Sequence, residues 1–191
     1  MKTDKRHFVF VGNNLAIDFV NTQIIDRGEV IELLNDSQDL LNWANAAELS
    51  LDKGNNKKQL FRESLELREA LKQVFTAILD TRGIPSNALN MVNQHLLNHV
   101  IKQELKKVKG KFELRSIYKN LSIERLLGLI AFEAAELLQS NQLVKLKRCA
   151  NPKCILLFVD TSKSGRRRWC SMEVCGNRSK AANHYISNKG H

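Results

Sequence analysis

The only four cysteines of this 191-residue chain fall in two pairs of equal spacing, Cys149-x4-Cys154 and Cys170-x4-Cys175, near its end. Four thiolates around one zinc ion need two tight turns that each aim two sulfurs inward, and paired cysteines supply them. Two disulfides are the competing use. They persist in oxidising compartments, yet the apolar stretch at residues 8–11 is far too short for the core of a secretory signal. The spacing therefore predicts one structural zinc per chain in a cytoplasmic protein. A shell closed by four sulfurs leaves no coordination position for water, so the metal has no catalytic role.

Charge follows the cysteines. Residues 141–191 hold eleven Lys and Arg against Asp160 and Glu173, a net +9, while the first 140 residues are nearly neutral at +1. A basic patch confined to a small module predicts a polyanionic partner, nucleic acid before an acidic membrane surface. No segment approaches the ~20 apolar residues of a membrane span.

Periodicity predicts an α-rich α+β domain over residues 1–140. Phe-Val-Phe-Val at 8–11 reads as a short strand, stopped by Gly12-Asn13-Asn14, and residues 15–22 as a short buried helix. Asp18, Asn21 and Thr22 are polar within that apolar segment. They are either hydrogen-bonding posts for neighbouring loops or the lining of a small-molecule effector pocket. Helices are expected at 38–49 behind Asp36 or Ser37, at 57–82, at 87–99 behind Ser86, and at 123–138 behind Asn120 or Ser122. In the 57–82 helix, Ser64 and Arg68 interrupt the apolar stripe. The loop at 54–56 precedes it. Residues 101–118 change period and read as a hairpin turning at Lys109-Gly110, and 123–138 is apolar on nearly every side, as a central core helix should be. His95 and His99, one helical turn apart, read as a polar helix face.

From about residue 141 the order is strand, first cysteine pair, strand at 155–159, turn, returning strand at 166–169, second pair, and a helix from 178. That order predicts a small treble-clef-like zinc module whose folding depends on the metal. Strand alternation would send Arg166 and Arg168 to one side and Arg167 to the other. All three are candidate phosphate contacts, with Lys180 and His184 on the helix beyond, while Trp169 packs over the metal. No phosphate-binding loop, dinucleotide fingerprint, metalloprotease motif or nucleophile–base set occurs, so catalytic residues are absent from the reading.

Cys175-Gly176-Asn177-Arg178, with Cys149-x4-Cys154 and Trp169-Cys170-Ser171-Met172, resembles the CGNR zinc finger family. Asn14-Leu-Ala-Ile-Asp-Phe-Val-Asn-Thr22 resembles the opening of the ABATE domain, which accompanies that finger in bacterial proteins described as stress-induced transcription regulators. The resemblance implies that Cys149, Cys154, Cys170 and Cys175 are the zinc ligands. It implies that the finger binds DNA and makes Gly176, Asn177 and Arg178 the signature after the last ligand; Asn177 and Arg178 join the candidate nucleic-acid contacts. On elementary grounds Gly176 can make a left-handed turn, Asn177 can cap the next helix, and Arg178 can reach phosphate or a guanine edge or buttress the knuckle.

The expected function is thus a zinc-containing, DNA-binding transcriptional regulator whose N-terminal domain binds an effector or dimerises. One finger has too small a footprint for tight recognition, which favours a homodimer. The alternatives are an RNA- or ribosome-binding zinc protein, an enzyme with its pocket around Asp18, and an architectural zinc module whose positive surface binds an acidic protein. The only aromatics in the module, Phe158, Trp169 and Tyr185, are few for stacking on single strands.

Overall fold

A computed structural model describes residues 8–52, 57–100, 102–117 and 120–181. The expected loop at 54–56, the hairpin ends Ile101 and Tyr118, and His184, Tyr185, Lys189 and His191 lie outside the described residues. The order is α1 (Leu15–Val20), β1 (Gln23–Asp26), β2 (Glu29–Glu32), α2 (Ser37–Ala46), α3 (Lys57–Leu79), α4 (Ser86–Leu96), β3 (Lys102–Val108), β4 (Lys111–Ile117) and α5 (Ile123–Gln139). A 3-10 turn (Leu143–Lys145) leads into β5 (Leu146–Arg148) and β6 (Leu157–Val159), and a π turn (Met172–Gly176) carries the last cysteine. The fold is α+β, with three separate two-stranded antiparallel sheets among the described residues.

Helix α5 forms the centre, as its all-round apolarity requires. Leu126, Leu127, Ile130, Ala131 and Ala134 are fully buried, and α1, α3 and α4 pack around them. Caps set the helix starts. The Asn14 side chain accepts from the amides of Ala16 and Ile17, Asp36 from those of Gln38 and Asp39, and Ser122 from that of Arg125. Ser86 is not a cap. It begins α4, and Pro85 precedes it with no side-chain capping bond. Nor do His95 and His99 form a polar face: His95 is buried, and His99 stacks on Phe132 with ring centres 4.0 Å apart.

Ser64 and Arg68 interrupt the stripe of α3 for physical reasons. Ser64 Oγ donates to the Phe61 carbonyl at 2.6 Å. Arg68 is buried and forks onto both carboxylate oxygens of Glu32, at 2.6 and 2.5 Å, while also donating to Thr22 Oγ1 at 2.9 Å. Glu32 ends the β1–β2 hairpin, which residue pattern alone did not reveal. Its turn at Arg27 and Gly28, both with positive φ, repeats the chemistry of Lys109-Gly110 between β3 and β4.

The C-terminal module is built into the helical core. Leu146, Leu157 and Val159 belong to the main hydrophobic cluster, and the cysteine cluster takes in Val9, Val11 and Ile24 from the N-terminal part. Residues 8–11 form no strand. They run as a strap between the two modules, with Phe8 against the helical core, Phe10 stacked on Trp43, and Val9 and Val11 against the cysteine cluster. The alternation that suggested a strand divides the strap between two neighbours. At its end, the Val159 amide donates to the Gly12 carbonyl at 2.8 Å. A Cβ on Gly12 would come within 2.6 Å of Ile17 Cγ2 and 2.8 Å of Asp18 Oδ1, so only glycine fits this close approach.

Asn21 completes the joint. Its side chain donates to the Leu157 carbonyl at 2.9 Å and accepts from the Leu157 amide at 2.9 Å, saturating one residue of β6 as a neighbouring strand would. Asn21→Ala leaves both buried groups unpaired and is expected to cost about 2–4 kcal/mol. A urea titration of the zinc-loaded protein checks this, and an unchanged midpoint would show that the Leu157 groups find other partners.

Candidate metal centre and nucleic-acid interface

Strands β5 and β6 enclose the first cysteine pair. The Cys149 amide donates to the Leu156 carbonyl at 3.0 Å, closing the pairs Leu146–Val159, Lys147–Phe158 and Arg148–Leu157 into a knuckle-bearing hairpin. Asn151 makes the turn with its side chain, accepting from the Lys153 amide at 2.9 Å and donating to the Cys175 carbonyl at 3.4 Å. Asn151 thereby ties one cysteine pair to the other, a role that its place in an Asn-Pro turn did not disclose.

The second pair sits on a different device. Ser171 accepts from the Val174 amide at 3.3 Å, and a π turn carries Cys175 inward before the chain becomes helical at 177–181. Gly176 does not make a left-handed turn. It lies in the π turn, buried, where a Cβ would meet Met172 Sδ at 2.5 Å. Asn177 is the first residue of the ensuing helix (φ −66°, ψ −40°) rather than a cap whose side chain closes it.

The four Sγ atoms lie within 4.8 Å of one another, with Cys154–Cys170 at 3.7 Å and Cys170–Cys175 at 3.6 Å. A tetrahedral zinc with metal–sulfur bonds of about 2.3 Å holds its sulfurs about 3.8 Å apart, whereas a disulfide needs about 2.05 Å. The set fits one zinc ion. The Cys170 amide donates to Cys149 Sγ at 3.4 Å, the kind of support that steadies a thiolate. Unaided by a cation, the protein divides the thiols unequally. Hydrogen bonds, first that from Cys170, hold Cys154 down to about 5, while Cys170 is pushed far up by the proton it donates to Cys154 and Cys175 is raised by burial to about 12. A bound divalent cation supplies the charge that lets all four sulfurs ionise together, and with four protein ligands it leaves no open position.

Beyond β6, the segment leading to the second pair is not the expected returning strand at 166–169. It is an irregular loop wrapped around one buried acid, Asp160. Asp160 Oδ2 accepts from Lys147 Nζ at 2.7 Å and from the Arg167 amide at 2.8 Å, and Oδ1 accepts from the amide and hydroxyl of Ser162 at 3.0 and 2.6 Å. Lys147, and then Ser162, hold its carboxyl well below the usual carboxylate range. That isolated acid in a basic stretch was the signal available in the sequence.

The three consecutive arginines separate as alternation predicts, even without a strand. Arg166 and Arg168 are exposed. Arg167 turns inward, where Nε donates to the Trp169 carbonyl at 3.0 Å, Nη2 donates to the Val11 carbonyl at 3.0 Å and to the Cys170 carbonyl, and the guanidinium lies 4.3 Å from the Phe158 ring centre. Its Nε and Nη2 join strap, loop and metal knuckle, unlike the exposed side chains of Arg166 and Arg168. Trp169 is half-buried against the cysteine cluster with Arg168 over its ring at 5.2 Å. Asn177, Arg178 and Lys180 are exposed beyond the last ligand.

The expected effector pocket is also revised. Asp18 Oδ1 accepts from the Gly12 amide at 2.7 Å, Asn21 clasps Leu157, and Thr22 Oγ1 bridges the Phe19 carbonyl and Arg68. These three are structural posts. A cavity of about 270 Å³ lies nearby, between α3 and the first knuckle, lined by Val20, Gln23, Lys72, Arg148, Ile155 and Leu157 among others.

A family model described as a putative stress-induced transcription regulator, ABATE, matches residues 13–141, and a CGNR zinc finger model matches residues 145–186. The chain belongs to the ABATE family and carries a CGNR zinc finger. No curated protein matches it. The finger's four cysteines are those gathered here, and both halves of the match meet at the strap and the Asn21 clasp.

Metal analysis of purified protein should give one zinc per chain, and Cys154→Ser should lose most of it; undiminished zinc in that variant would remove Cys154 from the ligand set. Asp18 supplies a pH signature. Burial raises its carboxyl from 3.8 to about 6, against the opposing pull of the Gly12 and Val11 amides and Arg167. Because the folded state holds this proton more tightly, its contribution favours folding as pH falls through about 6 and reverses as pH rises. Asp18→Asn should therefore change stability relative to wild type by an amount that varies between pH 4 and 7. Comparing the two proteins cancels the acid sensitivity of zinc binding common to both, and a constant difference would refute the shift.

Proposed function

We propose that this ABATE-family protein regulates transcription by binding duplex DNA through the exposed basic surface of its CGNR finger. The observation that carries the reading is the segregation of charge onto one module: Lys153, Lys163, Arg166, Arg168, Arg178 and Lys180 are all exposed there, whereas Asp160 is buried and neutralised by Lys147. Ser164, Arg166, Arg167, Arg168 and Trp169, among others, also line a shallow cavity of about 340 Å³, where the Ser164 hydroxyl and the exposed Arg166 and Arg168 guanidiniums are donors that suit a phosphodiester. Duplex is favoured over single strands because stacking surface is scarce. Phe158 is fully buried, and Trp169 is half-covered.

In this reading the zinc is architectural and the helical domain holds the finger in place while receiving the regulatory signal. The contacts between them support that role: Arg148 on β5 donates to Asp80 after α3 at 2.5 Å, and Asn21 grips β6.

Arg166→Ala/Arg168→Ala and Arg178→Ala should each weaken duplex binding and flatten its salt dependence, by about 0.9 in the log–log slope for every phosphate no longer neutralised. Arg167→Ala should act differently, lowering stability and zinc retention because three carbonyls are deprived of their donor. Fluorescence titrations with duplex DNA, single-stranded DNA and structured RNA at several salt concentrations check this. Tighter binding to RNA would replace DNA as the partner, and an unchanged slope in both exposed-arginine variants would move the binding surface elsewhere.

A further inference from the structure

The β3–β4 hairpin is the one regular element among the described residues that buries almost nothing. Nearly every residue of both strands is exposed, and on one face Leu105, Phe112 and Leu114 stand 66%, 69% and 61% accessible. An isolated two-stranded ribbon is marginal in water, and an unpaired strand edge is a template for pairing. We propose that the edge of β4, unpaired among the described residues, pairs antiparallel with β4 of a second copy, making a four-stranded sheet and a two-fold homodimer.

The backbone decides which residues face that edge. A two-residue turn makes its flanking pair, Val108 and Lys111, mutually hydrogen-bonded, and alternation gives Lys106–Glu113 and Glu104–Arg115 the same character. The backbone groups of Phe112, Leu114 and Ser116 therefore point away from β3. Only registers that set these three against each other satisfy both copies.

Charge then selects among those registers. With Leu114 opposite Leu114 of the second copy, Phe112 faces Ser116, and Glu113 faces Arg115 twice, once on each side of the axis. These are non-hydrogen-bonded pairs, in which side chains stand closest. Within one copy Glu113 and Arg115 already pair with each other at 2.7 Å, so the dimer joins two such pairs into a four-membered network. Sliding by two residues in either direction sets Glu113 or Arg115 against itself, which repels. In the favoured register the polar face reads Glu104, Arg115, then Glu113 and Lys106 of the second copy, alternating in sign across four strands. The opposite face carries an unbroken row of four leucines flanked by phenylalanines.

The β3 edge is less suited. Its outward residues include Lys107, whose ammonium lies 5.9 Å from the Phe112 ring centre, and a lysine on an edge strand discourages pairing. Dimerisation through β4 is independent of the proposed nucleic-acid binding, since no residue of the finger takes part.

Sedimentation velocity on the zinc-loaded full chain tests it without DNA. Wild type should show a concentration-dependent dimer. Leu114→Lys, which sets two ammonium groups together on the axis, should weaken association about tenfold or more, while Val144→Lys, at an exposed site outside the hairpin, should leave the dimer intact. Arg115→Glu and Glu113→Arg should each be weakened alone and recover when mixed, because the mixture restores opposite charges at both positions. Like charges created against β3 within each chain are the same alone and mixed, so recovery reads the intermolecular register. A wild type that stays monomeric, a dimer undiminished in Leu114→Lys, or no recovery on mixing would each overturn the proposal.

Discussion

Four thiolates gathered within 4.8 Å are unstable without a cation between them, and the C-terminal part of the protein is arranged around that fact. The two halves of the shell come from different local devices, an Asx-type turn at Asn151 and a π turn after Ser171, and neither fixes its sulfurs relative to the other. The metal does so, with Asn151 reaching across to the Cys175 carbonyl as a side-chain brace between them. A module of about forty residues has too little apolar area for independent stability, so the remaining support comes from outside it. The strap at 8–12, the Asn21 clasp and the insertion of Leu157 and Val159 into the helical core provide that support.

What was legible in the sequence was whatever depends on periodicity or on a short-range signature. The central helix announced itself by apolarity on every side, the 109–110 turn by Lys-Gly, and the zinc site by cysteine spacing. What was not legible depends on contacts distant in sequence. Phe-Val-Phe-Val has the alternation of a strand because two neighbours flank it, but one is a tryptophan on α2 and the other a metal knuckle near the far end of the chain. The Arg27-Gly28 turn carried the same chemical signal as Lys109-Gly110 and lay between strands of only four residues, too short for alternation to stand out. Asp18, Asn21 and Thr22 were recognisable as buried polar groups in need of partners, but not as partners for Gly12, Leu157 and Arg68.

Arg167 shows why a run of like charges is a poor guide to a binding surface. Its neighbours on both sides are exposed, and alternation along Arg-Arg-Arg does not say which side is buried. Geometry does. Alternating directions along an extended segment put the middle side chain against Phe158, where three carbonyls that the loop and strap would otherwise leave without donors converge on its fork. A lysine there would offer a point charge in place of a planar fork, so this position needs arginine for shape as well as sign.

The same guanidinium reaches the helical core only through electrostatics, for Arg167 lowers the proton affinity of Asp18 without an ion pair between them. Asp18 and Asp160 are thus two buried acids with opposite fates. Asp160 has an ammonium, a hydroxyl and two amides, and stays ionised; Asp18 has amides and a more distant cation, and burial wins, raising it to about 6. The difference lies in the direct lysine and serine partners of Asp160 and in the heavier desolvation of Asp18. It places the acid that organises the basic loop beyond the reach of mild acid, while leaving the acid at the joint between finger and helical core able to take up a proton near neutrality.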